Sequence, residues 1–157
     1  MQINYDMDKR AEKYERIKKQ LKGLMIPVKN EHSRLATICA VLHHKFPQFF
    51  WTGFYFLTED NELEVTTYQG PLACLRLKKD TGVCWASINK RETVIVDNVH
   101  DFEGHIACNP LSKSEIVIPV YRYNEIVGVL DIDSDSERAF DTTDANCLEE
   151  IIKMVYE

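Results

Sequence analysis

Apolar residues Ala11, Tyr14, Ile17, Leu21 and Leu24 recur at three- and four-residue steps among Lys, Arg and Glu. That period predicts an amphipathic helix over residues 8–24 with one buried stripe. A second helix is expected over 31–45, where Leu35, Ile38, Cys39, Leu42 and Phe46 fall on one side, with Pro27 before it and Pro47 ending it. The period then shortens. Residues 50–57 are aromatic and strand-like, 58–61 read as a turn, and 62–68 as a second strand, giving a β-hairpin. Residues 74–77 predict a short strand, 82–90 a short helix and 93–96 another strand. Residues 97–113 have no period and predict a long loop, a length that is uncommon in compact domains unless functional. A last hairpin pairs 115–121 with 126–133, and a helix over 142–156 follows, capped by Asp141 or Thr142. Helices, then hairpins, then a helix imply an α+β domain spanning residues 1–157, a central antiparallel β-sheet with N-terminal and C-terminal helices packed on it.

The last hairpin carries a charge pattern that a plain strand does not need. Alternation along Val127-Gly128-Val129-Leu130-Asp131-Ile132-Asp133 puts Val127, Val129, Asp131 and Asp133 on one face, and Leu130 and Ile132 on the other. Glu115 lies on the neighbouring strand. A three-residue turn would set it beside Asp131 or Asp133, whereas a two-residue turn would send it to the wrong face. Clustered carboxylates repel, a cost tolerated when they hold a cation, a metal or a proton. No EF-hand loop is present, so the pattern favours an ammonium group over a metal, with Trp51 and Tyr55 as a candidate aromatic wall. The competing reading makes these strand-end polar residues and core aromatics.

Composition narrows the class. The chain has 157 residues, 45% hydrophobic and 28% charged, with a formal charge of -6 and no basic stripe, which argues against a nucleic-acid partner. No apolar run approaches the ~20 residues of a membrane-spanning helix, and residues 1–6 lack a signal-peptide pattern. The expectation is therefore a cytoplasmic protein without a membrane partner, whose five cysteines stay reduced at rest.

Those cysteines divide into two groups. Cys39 sits in an apolar run and Cys147 precedes Leu148 in the last helix, as core filler would. Cys74, Cys84 and Cys108 stand in polar or loop-like contexts, Cys84 near a predicted helix start, where thiols ionise more readily. Three chemistries remain open for them. Zinc binding lacks the short C-x-x-C spacing, although His105 and His100 add donors. Inert burial is common for free cysteine. Redox chemistry, with one thiolate attacking and a second thiol resolving, uses several cysteines at once. Cysteine hydrolysis with His105 as base would leave the other thiols unexplained.

Trp51-Thr52-Gly53-Phe54-Tyr55, residues 69–74, Gly82-Val83-Cys84, residues 97–100, Gly104-His105-Ile106-Ala107-Cys108, residues 114–119 and residues 128–134 together resemble the free methionine-(R)-sulfoxide reductases, which are single GAF domains. The resemblance runs nearly the whole chain. It implies that Cys108 attacks the sulfoxide sulfur and passes through a sulfenic acid. Cys84 is then the main resolving cysteine and Cys74 a further partner, in an order the resemblance leaves open. Glu115, Asp131 and Asp133 bind free methionine-(R)-sulfoxide, with Trp51 around its methyl group. It further implies thioredoxin as reductant, a homodimer, no cofactor and no metal. Phe50 and Thr52 depart from the family's usual Asn and Val, and Trp85 stands where a small residue is expected. The alternative is a non-catalytic GAF small-ligand or redox sensor module, a kind usually found in longer chains with an output domain.

Overall fold

In a computed structural model that describes residues 2–105 and 108–157, the helices are α1 (Gln2–Met25), α2 (Glu31–Lys45), α3 (Gly82–Lys90) and α4 (Thr142–Lys153). The strands are β1 (Trp51–Leu57), β2 (Leu63–Gln69), β3 (Arg76–Leu77), β4 (Val94–Val96), β5 (Ser114–Arg122) and β6 (Glu125–Ser134). They form one antiparallel sheet in the order β3-β2-β1-β6-β5-β4. The expected α+β architecture is present. Ile106 and Ala107 of the Gly104–Cys108 motif lie outside the described residues.

Each helix begins and ends for a local reason. Asn30 caps α2 by accepting from the Ser33 amide at 3.0 Å, and the chain leaves the helix at Phe46, before Pro47. Asp141, not Thr142, caps α4: it accepts from the amides of Thr143 and Asp144, while the Asp144 carboxylate accepts from the Asp141 amide at 2.9 Å. In α1 the buried stripe is Tyr14, Ile17, Leu21 and Met25, and Leu24, assigned to the stripe by its spacing, is 49% exposed. A four-residue step from Leu21 stays within the stripe, whereas a three-residue step falls about 60° short of a full turn and leaves Leu24 at the stripe's edge.

The sheet divides the core in two. On one face α1, α2 and α4 pack over Phe54, Ile116, Ile118, Leu130 and Ile132. On the other, α3 packs over Trp51, Tyr55, Val117 and Val129. The alternation of β1 thus sends Phe54 and Phe56 to the helical core and Trp51 and Tyr55 to the opposite side. Cys39 is fully buried under the sheet, donating its thiol to the Thr52 carbonyl, and burial pushes it up to about 12. Cys147 packs partly buried against the same core. Arg34 ties three chain segments together, because its guanidinium donates to the carbonyls of Met25, Val28, Met154, Val155 and Glu157.

The β5–β6 hairpin departs from simple alternation. Tyr123 and Asn124 close it as a two-residue turn with φ of 49° and 66°, the left-handed pair that matches strand twist. Pairing runs from Arg122↔Glu125 to Tyr121↔Ile126 and then shifts to Val120↔Gly128. Val127 is the extra residue, a β-bulge. Val127 therefore packs on the helical core with Leu130 and Ile132 instead of sharing a face with Asp131.

Candidate active site

Register assembles the site across three strands. Trp51 pairs with Asp133, and Asp133 with Glu115, so one row of side chains runs from β1 through β6 to β5. The next row holds Gly53, Asp131 and Val117. Side chains in one row of a sheet point to one face. The bulge at Val127 is what makes the first row possible: the register at the turn, continued without it, would set Glu115 across from Ile132.

Gly53 gives the row its aromatic wall. A Cβ there would lie 2.4 Å from Trp51 Cη2 and 2.5 Å from Tyr68 Cβ, so only glycine lets the indole lie flat over the strand. The Trp51 ring stacks between Tyr68, at 5.4 Å between centroids, and Tyr55, at 5.8 Å. Its Nε1 donates to the Pro71 carbonyl at 3.1 Å. Tyr55 donates its hydroxyl to the Cys74 carbonyl at 3.0 Å, which fixes the β2–β3 connection over the site.

One pocket gathers Trp51, Tyr55, Cys84, Cys108, Glu115, Asp131 and Asp133. Cys74 is joined to it covalently, because Cys74 and Cys108 form a disulfide across 34 residues of sequence. The Cys84 thiol remains free. Among the candidate residues, all eight are thus brought together. Sequence reasoning left Ser112 unnamed. It is 6% exposed, lines the pocket and hydrogen-bonds Asp133; its one signal was its place in the long loop, three residues before Glu115. His105, considered above only as a base or zinc donor, places Nε2 3.4 Å from Glu115 Oε2.

The electrostatics are those of a dry acidic pocket. Burial is the largest cause raising Glu115, Asp131 and Asp133 well above the carboxylate range, and their mutual charges add to it. Glu115 and Asp131 also share a hydrogen bond. Asp131 is 7% exposed, and its Oδ1 has no protein partner, an acceptor prepared for a donor from outside the chain. Burial, followed by the charges of Asp131, Glu115 and Asp133, pushes the Cys84 thiol well above its ordinary value. The helix-start location therefore does not activate Cys84, since desolvation and three carboxylates outweigh the helix dipole. Burial likewise lowers His105, whose ring faces Glu115.

A fold of this kind, with its ligand pocket on the α3 side of a six-stranded antiparallel sheet, defines a GAF domain, and the GAF domain family model matches residues 28–153. The chain belongs to that family, and within it to the free methionine-R-sulfoxide reductases. It is 35% identical to the Escherichia coli free methionine-R-sulfoxide reductase over 91% of this chain and 86% of that protein. It is 44% identical to GAF domain-containing protein A of Dictyostelium discoideum over 93% of this chain and 92% of that one. The structure of free methionine-R-sulfoxide reductase from Neisseria meningitidis in complex with its substrate superposes with a TM-score of 0.89 at 38% identity, covering 93% of this chain and 87% of that one. Among the described residues, no helix is long and apolar enough to cross a membrane.

Proposed function

We propose that this chain reduces free methionine-(R)-sulfoxide to methionine. The observation that carries the proposal is the Cys74–Cys108 disulfide beside a pocket walled by Trp51 and three desolvated carboxylates. In the reduced protein, Cys108 attacks the sulfoxide sulfur. A protonated carboxyl of the Glu115, Asp131 and Asp133 group gives its proton to the departing oxygen, a role suited to acids whose ionisation is held back. Ionised members of the same group hold the substrate ammonium, and the Trp51 face lies against its methyl group. The released hydroxyl then bonds to the Cys108 sulfur as the bond between the two sulfurs breaks, so methionine leaves and Cys108 carries a sulfenic acid.

Cys74 then attacks the sulfenic sulfur, water departs, and the disulfide forms. Two thiols lose two electrons and the sulfoxide gains them, so the cycle needs an external dithiol. Thioredoxin supplies it in a reducing cytoplasm. The bond between Cys74 and Cys108 supports Cys74 as the first resolving thiol, with Cys84 entering afterwards by exchange, an order the resemblance left open. Cys108→Ser is expected to abolish thioredoxin-dependent turnover of the R epimer; turnover at the parent rate would overturn the mechanism.

A further inference from the structure

We propose that Cys84, Glu115 and Asp131 form a binding site for a thiophilic divalent cation of the zinc class, which occupies the oxidised protein and excludes the substrate's ammonium group. The candidate ligand atoms, Cys84 Sγ and one carboxylate oxygen each from Glu115 and Asp131, all lie within 4.8 Å of one another. A tetrahedral zinc ion with bonds of about 2.0–2.3 Å spaces its donors about 3.5 Å apart. Small side-chain rotations close that difference.

The orphaned Oδ1 of Asp131 supplies an independent sign that something from outside the chain belongs here. An ammonium group would satisfy it as well, but it engages the oxygens alone, whereas a thiophilic cation also takes the Cys84 sulfur that lies among them. Cys84 is 4% exposed, is held over the carboxylates by the first turn of α3 and hydrogen-bonds Asp131. A mixed sulfur and oxygen donor set suits zinc-class ions, whereas magnesium and calcium prefer oxygen alone. His105 contacts Glu115 at 3.4 Å, in the manner of the groups that orient a metal-binding carboxylate.

Binding displaces the proton of the Cys84 thiol, and the divalent charge offsets the thiolate and the two carboxylates. Two consequences follow. Cys84 is withdrawn from exchange with the Cys74–Cys108 disulfide, and the carboxylates are no longer available to an ammonium. The site stands without the reductase reading; only its competition with substrate rests on that reading.

The test is a titration of the disulfide-containing protein with cadmium, a spectroscopic stand-in for zinc whose thiolate bond gives an ultraviolet charge-transfer band, in the absence of any sulfoxide. One equivalent should produce the band. Cys84→Ser should remove it, Asp131→Asn should weaken binding at least tenfold, and Cys39→Ser and Cys147→Ser should leave both unchanged. A band that survives Cys84→Ser, or parental affinity in Asp131→Asn, would overturn the site. Circular dichroism of each variant separates loss of binding from loss of fold. Methionine, which carries the same ammonium group, should weaken the apparent affinity of the disulfide-containing protein for cadmium; an affinity unchanged by saturating methionine would overturn the competition while leaving the site intact.

Discussion

Glu115 stands directly across from Asp133 although only Tyr123 and Asn124 close the hairpin between their strands. The turn alone would have put Glu115 beside Ile132, in the helical core, where a carboxylate has no partner. The bulge at Val127 corrects the phase by one residue, because side chains alternate with a period of two. The carboxylate cluster is therefore a product of the turn and the bulge together.

Deletion of Val127 tests that relationship. The residue is unpaired, so its loss leaves Tyr121↔Ile126 and Glu115↔Asp133 as they are. Activity should stay within tenfold of the parent, with a stability cost of about 1–2 kcal/mol for the lost packing of one valine. Complete loss of activity in a folded protein would show that the register is set elsewhere.

Gly53 controls the aromatic wall. Gly53→Ala places a Cβ 2.4 Å from the Trp51 ring and displaces the indole from its place between Tyr55 and Tyr68. Overpacking of this kind costs about 1–3 kcal/mol, and Trp51 fluorescence should shift with the ring. The KM for the sulfoxide should rise more than kcat falls. An unchanged KM would remove Trp51 from the substrate's surroundings.

Much of this arrangement was legible in the chain, and what was not has a physical reason. The bounds of α2 and α3 follow from their periodicity and flanking residues, and the alternation in β1 separates Trp51 and Tyr55 from Phe54. The carboxylates announced themselves by standing where a strand expects apolar side chains. The Val127 bulge left no mark, because valine suits a regular strand and a bulge equally. The pairing of Cys74 with Cys108 was equally hidden, since spatial adjacency across 34 residues has no period. Cys84 looked activated by its helix position, yet the carboxylates that overrule the helix come from β5 and β6.

The raised carboxylates make stability depend on pH. Folded Glu115, Asp131 and Asp133 bind protons at pH values where the unfolded chain has released them, so the native state holds more protons and stability falls as pH rises. The window opens above their ordinary values of 4.5 for Glu and 3.8 for Asp and extends upward to the raised folded values. Asp131→Asn removes one of these groups. In urea denaturation at pH 5 through 9, scanned at roughly one-unit steps, its stability advantage over the parent should widen with pH while turnover is lost. A gap that narrows as pH rises would mean that the cluster is ionised and satisfied in the native state.

The central claim is that Cys108 takes oxygen from a free amino acid of one sulfoxide configuration. Reduced protein incubated separately with the R and S epimers of methionine sulfoxide, then alkylated and peptide-mapped by mass spectrometry, measures it directly. The account predicts one methionine released per Cys74–Cys108 disulfide formed, with the R epimer only. No disulfide, or equal oxidation by both epimers, would contradict it and leave a GAF domain that binds a small ligand without turning it over.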